Sequence, residues 1–286
     1  PAFEELPLDK TGPAGNAWGR FGERDQLGML NLLTPENTTE AAKEIKNGVR
    51  ISLDWHLSKP SYPFFGRQIF YHHMHNKAPR TVNDDIILFN TQCSTQWDGF
   101  RHFVWVENGG IVGRGVLLDY AAWTEKKGIK VDVLTRYGIP AAHLRQLMEE
   151  ENIVTRPGDI LFIRSGFTKA YEALSEAEQA SSPQLKEGTF IGVESSMETA
   201  KWIWENQFAA VAGDMPGFEQ SPIWNSEVQL HQWLLAGWGC PIGEMFYLED
   251  LARECKKLGR NTFFMSSMPL KHTANNLRSV SSKIGI

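Results

Sequence analysis

Apolar and polar residues alternate along several stretches in the first half of the chain. From Val49 to Leu57 every second residue is apolar, which is the pattern of a half-buried strand. Residues 67–75 and 85–96 are also predicted to be strands. The run Ile86–Phe89 within the second of them is apolar enough to lie inside the protein. Residues Val116 to Trp123 are predicted to form a further strand.

Helical signals separate these strands and then become regular. Thr34 is an N-cap candidate followed by Pro35, and Gly48 is predicted to end that helix. Pro140 begins a helix that ends near Glu151, and a Pro-Gly-Asp turn at 157–159 leads into the next strand. The remaining predicted elements, in chain order, are strand 160–163, helix 194–206, strand 208–212, a helix capped by Ser226 that runs through His231 to Leu235, strand 242–246, helix 249–258 and strand 262–265.

Strands therefore dominate the early part of the chain, and strand–helix alternation dominates the later part. This order predicts a mixed α/β fold with a layered sheet core. The sequence contains no internal repeat, low-complexity tract or Pro/Gly/Ser-rich linker. Residues 1–286 are accordingly predicted to form one domain, with residues 1–17 as an extended N-terminal segment.

Composition narrows the functional class. Hydrophobic residues make up 42% of the 286 residues and charged residues 22%, as in ordinary globular proteins. The formal net charge of -5 argues against a nucleic-acid partner, and no apolar run is long enough to span a membrane. The three cysteines fit no paired pattern, and residues 1–15 lack the apolar core of a signal peptide. We expect a cytoplasmic protein with a small-molecule substrate.

The most informative segment is residues 92–103. If the strand 85–96 continues through it, Gln92, Ser94, Gln96 and Asp98 share one face. Four polar side chains directly after an apolar run are costly to bury unless they bind something. An exposed strand end with a polar face is the simpler alternative, and the segment alone does not decide between the two.

This segment resembles the motif H-x-G-T-H-x-D-x-P-x-H-F of the cyclase superfamily, which includes bacterial kynurenine formamidase and isatin hydrolase. Thr95, Asp98, His102 and Phe103 are in register with it. Gln92 and Gln96 stand where the family has its two metal-binding histidines, Ser94 replaces glycine, and Phe100 replaces proline.

Similar segments extend from about residue 18 to residue 270. Trp18-Gly19 resembles the opening of the family, and Asp214 with Glu219 resembles a strand end that faces the site. His231 and Glu244 match the remaining metal ligands. The resemblance implies a swivelling β/β/α-like fold, a metal site at Gln92, Gln96, Asp98, His231 and Glu244, and catalytic roles for Asp98 and for His102 as the proton-transfer group.

The two glutamines change what this site can hold. A glutamine amide offers only a neutral carbonyl oxygen, which is a poorer zinc ligand than imidazole and suits harder ions. Asp98, His231 and Glu244 remain as strong ligands, enough for one Zn²⁺ or Mn²⁺ and too few for two ions. Without metal, two carboxylates and two imidazoles still suffice for acid–base chemistry. A lone histidine such as His102 is also commonly a surface or structural residue.

Three functional hypotheses follow. The first is a hydrolase of a C–N bond in an amide, lactam or formamide of an aromatic or cyclic compound, using one divalent metal. The second is a metal-independent cyclase, dehydratase or isomerase, and the third is a binding protein without catalysis. Aromatic side chains around the motif are candidates to contact the substrate: Trp18, Phe65, Trp97 and Phe100. The family and the aromatic content also predict a homodimer or a dimer of dimers.

Overall fold

A seven-stranded mixed sheet forms the centre of the computed structural model, which describes residues 1–99, 102–182, 188–223, 227–270 and 284–285. The strands of this sheet are β3 Gln96–Asp98, β4 Ile111–Leu118, β6 Ile160–Ile163, β8 Ala210–Gly213, β9 Ile242–Glu244, β10 Thr262–Pro269 and β11 Ile284–Gly285. Their order across the sheet is β11-β10-β4-β6-β8-β9-β3, where β4, β6, β8 and β9 run parallel and β3, β10 and β11 pair antiparallel with their neighbours.

Helices connect the strands, and most of them lie on the faces of the sheet. The α-helices are α1 Pro35–Ala42, α2 His102–Glu107, α3 Tyr120–Lys127, α4 Ala141–Glu150, α5 Phe167–Glu172, α6 Glu176–Ser181, α7 Met197–Glu205 and α8 Glu249–Leu258. A π-helix spans Gln232–Trp238, and short 3₁₀ helices lie at Phe3–Glu5, Gly28–Leu32 and Phe64–Gly66. None of the described helices combines the length and the apolar character that a bilayer crossing requires.

Hydrophobic clusters cover both faces of the sheet. Successive side chains of β6 alternate between them: Leu161 and Ile163 belong to the larger cluster, which includes residues of α4 and α7. Ile160 and Phe162 belong to the second cluster, which includes Leu251 and Cys255 of α8. This arrangement explains why β6 is apolar at every position, since a strand buried on both faces has no polar side.

Two smaller strand pairs lie outside the main sheet. The strands β1 Tyr71–Asn76 and β2 Asn83–Leu88 form an antiparallel hairpin, and β5 Gly138–Ile139 pairs in parallel with β7 Gly192–Val193. All twelve residues of β1 and β2 are exposed. The prediction that Ile86–Phe89 lies inside the protein is therefore wrong for Ile86, Ile87 and Leu88, because none of the residues that the structure describes covers either face of the hairpin.

The later elements agree closely with the predictions. The strand 160–163 and the helix 249–258 are confirmed to the residue, and α4 begins one residue after Pro140. Thr34 caps α1 by accepting a hydrogen bond from the backbone N–H of Asn37, as predicted. The helix ends at Ala42 rather than near Gly48, because the following residues make i→i−3 turn hydrogen bonds. The predicted cap Ser226 lies outside the described residues.

The predicted strand from Val49 to Leu57 is wrong. Only Asp54 in this segment pairs with another chain segment, through an isolated bridge to Phe246. Leu53 and Trp55 are nevertheless buried, so the alternation holds at these two positions although no strand of the described residues pairs along the segment. The predicted strand from Val116 to Trp123 ends at Leu118, since Asp119 caps α3.

Candidate functional site

The pairing of β3 with β9 builds the base of the candidate site. Gln96 lies directly opposite Glu244, and Asp98 lies opposite Ile242. Gln96 and Asp98 are two residues apart on β3 and therefore project from the same face as Glu244. His231 precedes the π-helix and reaches the same place, so that ligand atoms of Asp98, His231 and Glu244 all lie within 4.8 Å of one another.

His231 lies between two carboxylates. Its Nδ1 is 2.7 Å from Glu219 Oε1, and its Nε2 is 3.1 Å from Glu244 Oε1. Burial lowers the pKa of His231, but the hydrogen bonds and charges of the two glutamates outweigh it and raise the pKa to about 10. Without a metal ion, the two carboxylates therefore favour the protonated form of the imidazole.

The two glutamates that flank His231 differ in their surroundings. Burial raises the pKa of Glu219, but its hydrogen bonds with His231 and Ser195 bring the net pKa below the usual value. Its oxygens also accept from the backbone N–H groups of Leu230 and His231 at 2.7 and 2.9 Å. For Glu244, burial and the nearby charge of Asp98 raise the pKa, so a cation beside this carboxyl would stabilise its charged form.

Gln96 supplies the clearest sign that a ligand is needed. Its Nε2 donates to Glu244 Oε2 at 2.8 Å, whereas its Oε1 is buried and has no hydrogen-bond partner among the described residues. A buried carbonyl oxygen without a partner is costly. Two carboxylates, one imidazole and this amide oxygen form a donor set that fits one divalent cation, with the oxygen-rich character that suits Mn²⁺ as well as Zn²⁺.

Gln92 approaches the same group from outside the sheet. The residues 89–95 are not a strand, so the period-two argument fails for Gln92 and Ser94. The Nε2 of Gln92 is 3.5 Å from Asp98 Oδ1, which makes it a neighbour of the ligand set. Ser94 donates to the backbone carbonyls of Trp55 and His56 and holds that segment in place.

Thr95 links β3 to the end of β9, the two strands that carry candidate metal ligands. Its hydroxyl accepts from the backbone N–H of Trp55 at 2.6 Å and donates to the carbonyl of Met245 at 2.6 Å. Met245 follows Glu244 directly and has a left-handed backbone with φ of 52°, which turns the chain sharply at the site. The buried hydroxyl therefore holds β3, the segment around Trp55 and the end of β9 together.

The predicted aromatic contacts have different positions. Trp97 is 1% exposed and packs between Phe162 and Phe246 on the opposite face of β3, so its prediction as a substrate-binding residue is wrong. Trp18 and Phe65 are 47% and 49% exposed, and their contact with a substrate stays a prediction. Phe100 lies outside the described residues.

His102 is the first residue of α2, so the predicted strand does not continue to it. Only its backbone position is described, four residues after Asp98 along the chain.

Sequence reasoning missed one cation near the site, Arg67, whose Nη1 donates to the backbone carbonyl of Gln92 at 2.6 Å. A single arginine in a loop has no periodic signal that could have identified it.

Comparison with known proteins agrees with this fold. The profile of the family described as "putative cyclase" matches residues 39–220, which is more than half of the chain. A crystal structure described as a novel cyclase shares 29% identity, with 94% of this chain and 97% of that chain covered and a TM-score of 0.79. No curated protein matches the sequence.

More distant solved structures have the same fold. Isatin hydrolase A from Labrenzia aggregata, bound to benzyl benzoate, is 14% identical over 85% of this chain and 98% of that chain, with a TM-score of 0.59. A predicted metal-dependent hydrolase from Bacillus stearothermophilus is 15% identical over 82% of this chain and 95% of that chain, with a TM-score of 0.51. From the match to the family profile, the chain belongs to the cyclase family.

Proposed function

We propose that the protein is a hydrolase that cleaves the C–N bond of an amide, lactam or formamide in an aromatic or cyclic small molecule, with one bound divalent metal. The observation that carries this proposal is the convergence of Asp98, His231 and Glu244 within 4.8 Å, beside the unpartnered Oε1 of Gln96. The hydrolase relatives of low identity support the same class of reaction.

The residues of the chain have distinct tasks in this proposal. Asp98, His231 and Glu244 would hold the ion, and Gln96 would add its amide oxygen. When bound, such an ion activates water and polarises the scissile carbonyl. Glu219 accepts a hydrogen bond from Nδ1–H of His231, which would orient the ring so that Nε2, once it has lost its own proton, holds the ion, as carboxylates commonly do for ligand histidines. Water would lose a proton to His102 as it adds to the carbonyl carbon, and His102 would pass that proton to the leaving nitrogen as the C–N bond breaks.

A second candidate is a metal-independent cyclase, dehydratase or isomerase. The observation in its favour is that His231 hydrogen-bonds to Glu219 through Nδ1 and to Glu244 through Nε2. Both imidazole nitrogens therefore have partners without a metal ion. The pKa of Glu244 is raised by burial and by Asp98, which favours a protonated carboxyl that can donate a proton. Asp98, His102 and Glu244 would then be the acid–base groups.

The experiment is a hydrolysis assay with formanilide, an aromatic lactam and an acetanilide, before and after metal removal with a chelator. We expect activity that is lost without metal and restored by Mn²⁺ or Zn²⁺. His102→Ala should lower kcat by about two to four orders of magnitude, whereas the exposed His75→Ala should not. Turnover that survives complete metal removal would replace the first proposal by the second.

A further inference from the structure

A half-buried arginine lies at the edge of the proposed metal site. Arg67 follows the 3₁₀ helix Phe64–Gly66, and its Nη1 donates to the backbone carbonyl of Gln92 at 2.6 Å. The side-chain amide of Gln92 in turn is 3.5 Å from Asp98 Oδ1. The charge of Arg67 also acts to lower the pKa of Glu244. The guanidinium is therefore held close enough for its charge to act on the residues proposed to bind the metal.

The donors of this guanidinium are mostly unused. A guanidinium has five N–H groups, and the Gln92 carbonyl is the hydrogen-bond acceptor of Arg67 within the described part of the chain. No carboxylate of the described residues pairs with it. Three other arginines with little exposure have carboxylate partners: Arg114 with Asp159, Arg164 with Asp119 and Glu249, and Arg260 with Glu44. The half-buried Arg20 has no carboxylate partner among the described residues, but it donates to the side-chain amide oxygen of Gln207.

An aromatic surface lies directly beside these donors. The Cζ of Arg67 is 4.7 Å from the centre of the Phe65 ring, and that ring is 49% exposed. Phe65 has a left-handed backbone, with φ of 58° and ψ of 26°, and its ring packs edge-on against Phe190 at 5.6 Å. The structure therefore holds an exposed aromatic ring in an unfavourable backbone conformation beside a guanidinium.

The acidic residues around the site would disfavour an anionic substrate, and Arg67 would counteract this effect. Asp98, Glu219 and Glu244 would repel an anionic substrate. The positive charge of Arg67 would offset this repulsion if the anionic group of the substrate lay closer to Arg67 than to the three carboxylates. The planar fork of an arginine matches a carboxylate through two parallel hydrogen bonds. A ring that packs against Phe65 would place its own carboxylate within reach of the unused N–H groups.

We propose that Arg67 binds a carboxylate carried by the substrate and that Phe65 contacts the ring that bears it. The substrate class is then an aromatic amide or lactam with a carboxylate on the same ring system. This inference rests on the proposed hydrolysis for the bond that reacts, but the recognition of the carboxylate can be tested without turnover.

The test is calorimetric titration with benzoate and with benzamide, which have the same shape and differ in charge. We expect benzoate to bind the wild type at least about tenfold more tightly than benzamide, and Arg67→Met to weaken benzoate about 10- to 100-fold while leaving benzamide unchanged. Arg67→Lys should retain part of the preference. Arg50→Met, at an exposed position, is the matched control and should behave like the wild type.

Each titration is run on metal-free and on Mn²⁺-loaded protein, after Mn²⁺ binding has been measured for both proteins. Equal binding of benzoate and benzamide to the wild type overturns the carboxylate assignment. Benzoate binding that requires Mn²⁺ and persists in Arg67→Met also overturns it, because the metal is then the anion receptor. Failure of Mn²⁺ to bind at all contradicts the proposed hydrolase and leaves the Arg67 comparison decisive on metal-free protein.

Discussion

Replacing Thr95 by valine tests whether its buried hydroxyl holds the site together. Valine has nearly the same shape, so the change removes the hydroxyl without opening a cavity. The backbone N–H of Trp55 and the carbonyl of Met245 would each lose a partner at 2.6 Å. Leaving a buried backbone group unsatisfied costs about 1–3 kcal/mol. We therefore expect the free energy of unfolding to fall by about 2–4 kcal/mol, since the two costs are not fully additive.

The assay is urea unfolding followed by tryptophan fluorescence, with calorimetric titration of Mn²⁺ on the same proteins. Thr95→Ser keeps the hydroxyl and should lose about 1 kcal/mol or less, mainly from the missing methyl group. Thr39→Val is the matched control, because the Thr39 hydroxyl donates to the carbonyl of Pro35 at an exposed helix position. We expect it to change stability by less than about 0.5 kcal/mol. A Thr95→Val protein with wild-type stability and wild-type Mn²⁺ affinity would refute this role.

Further predictions concern the metal, the pH dependence and the assembly. Gln92→His combined with Gln96→His should raise zinc affinity by at least about tenfold in calorimetric titration, and no gain would contradict the positions assigned to these two residues. Burial raises the pKa of Asp214 to about 6 from 3.8, so its contribution to stability is present at low pH and is lost as the pH rises through 6. The stability advantage of the wild type over Asp214→Asn should accordingly be about 2 kcal/mol larger at pH 4 than at pH 7 in urea unfolding, and a pH-independent difference would disprove this assignment. An isolated two-stranded hairpin is marginally stable in water, so the exposed β1–β2 hairpin predicts a dimer or a dimer of dimers. Light scattering should show Ile86→Lys shifted towards the 32.3 kDa monomer, and a monomeric wild type would count against an oligomer.

The strand 160–163, which is buried on both faces, and the amphipathic helix 249–258 were predicted to the residue. The apolar run 160–163 is short and follows a Pro-Gly-Asp turn, which favours a buried strand over a helix. The segment from Val49 to Leu57 shows the limit of the same reasoning. Its alternation correctly indicates the burial of Leu53 and Trp55, whereas Val49 is exposed. A strand also requires a neighbouring backbone, and in this segment only Asp54 forms a β-bridge to one.

The candidate site was predictable to the extent that it resembles a family motif. That resemblance brought Gln96, Asp98, His231 and Glu244 into one proposed site, and the structure places all four together. The contribution of Arg67 depends on the fold of a loop, which no residue pattern encodes. Trp97 was misassigned because its neighbours on β3 face the site, while its own side chain faces the core.

The most direct test of the metal-site proposal is the stoichiometry of divalent metal binding to the chain. Metal-free protein is titrated with Mn²⁺ and with Zn²⁺ in a calorimeter, and the same titrations are repeated on Glu244→Gln and on the exposed control Glu205→Gln. We expect one ion per chain for the wild type and for the control, and a loss of at least about tenfold in affinity for Glu244→Gln. Two ions per chain, or wild-type affinity in Glu244→Gln, would contradict a single site built by Asp98, His231 and Glu244.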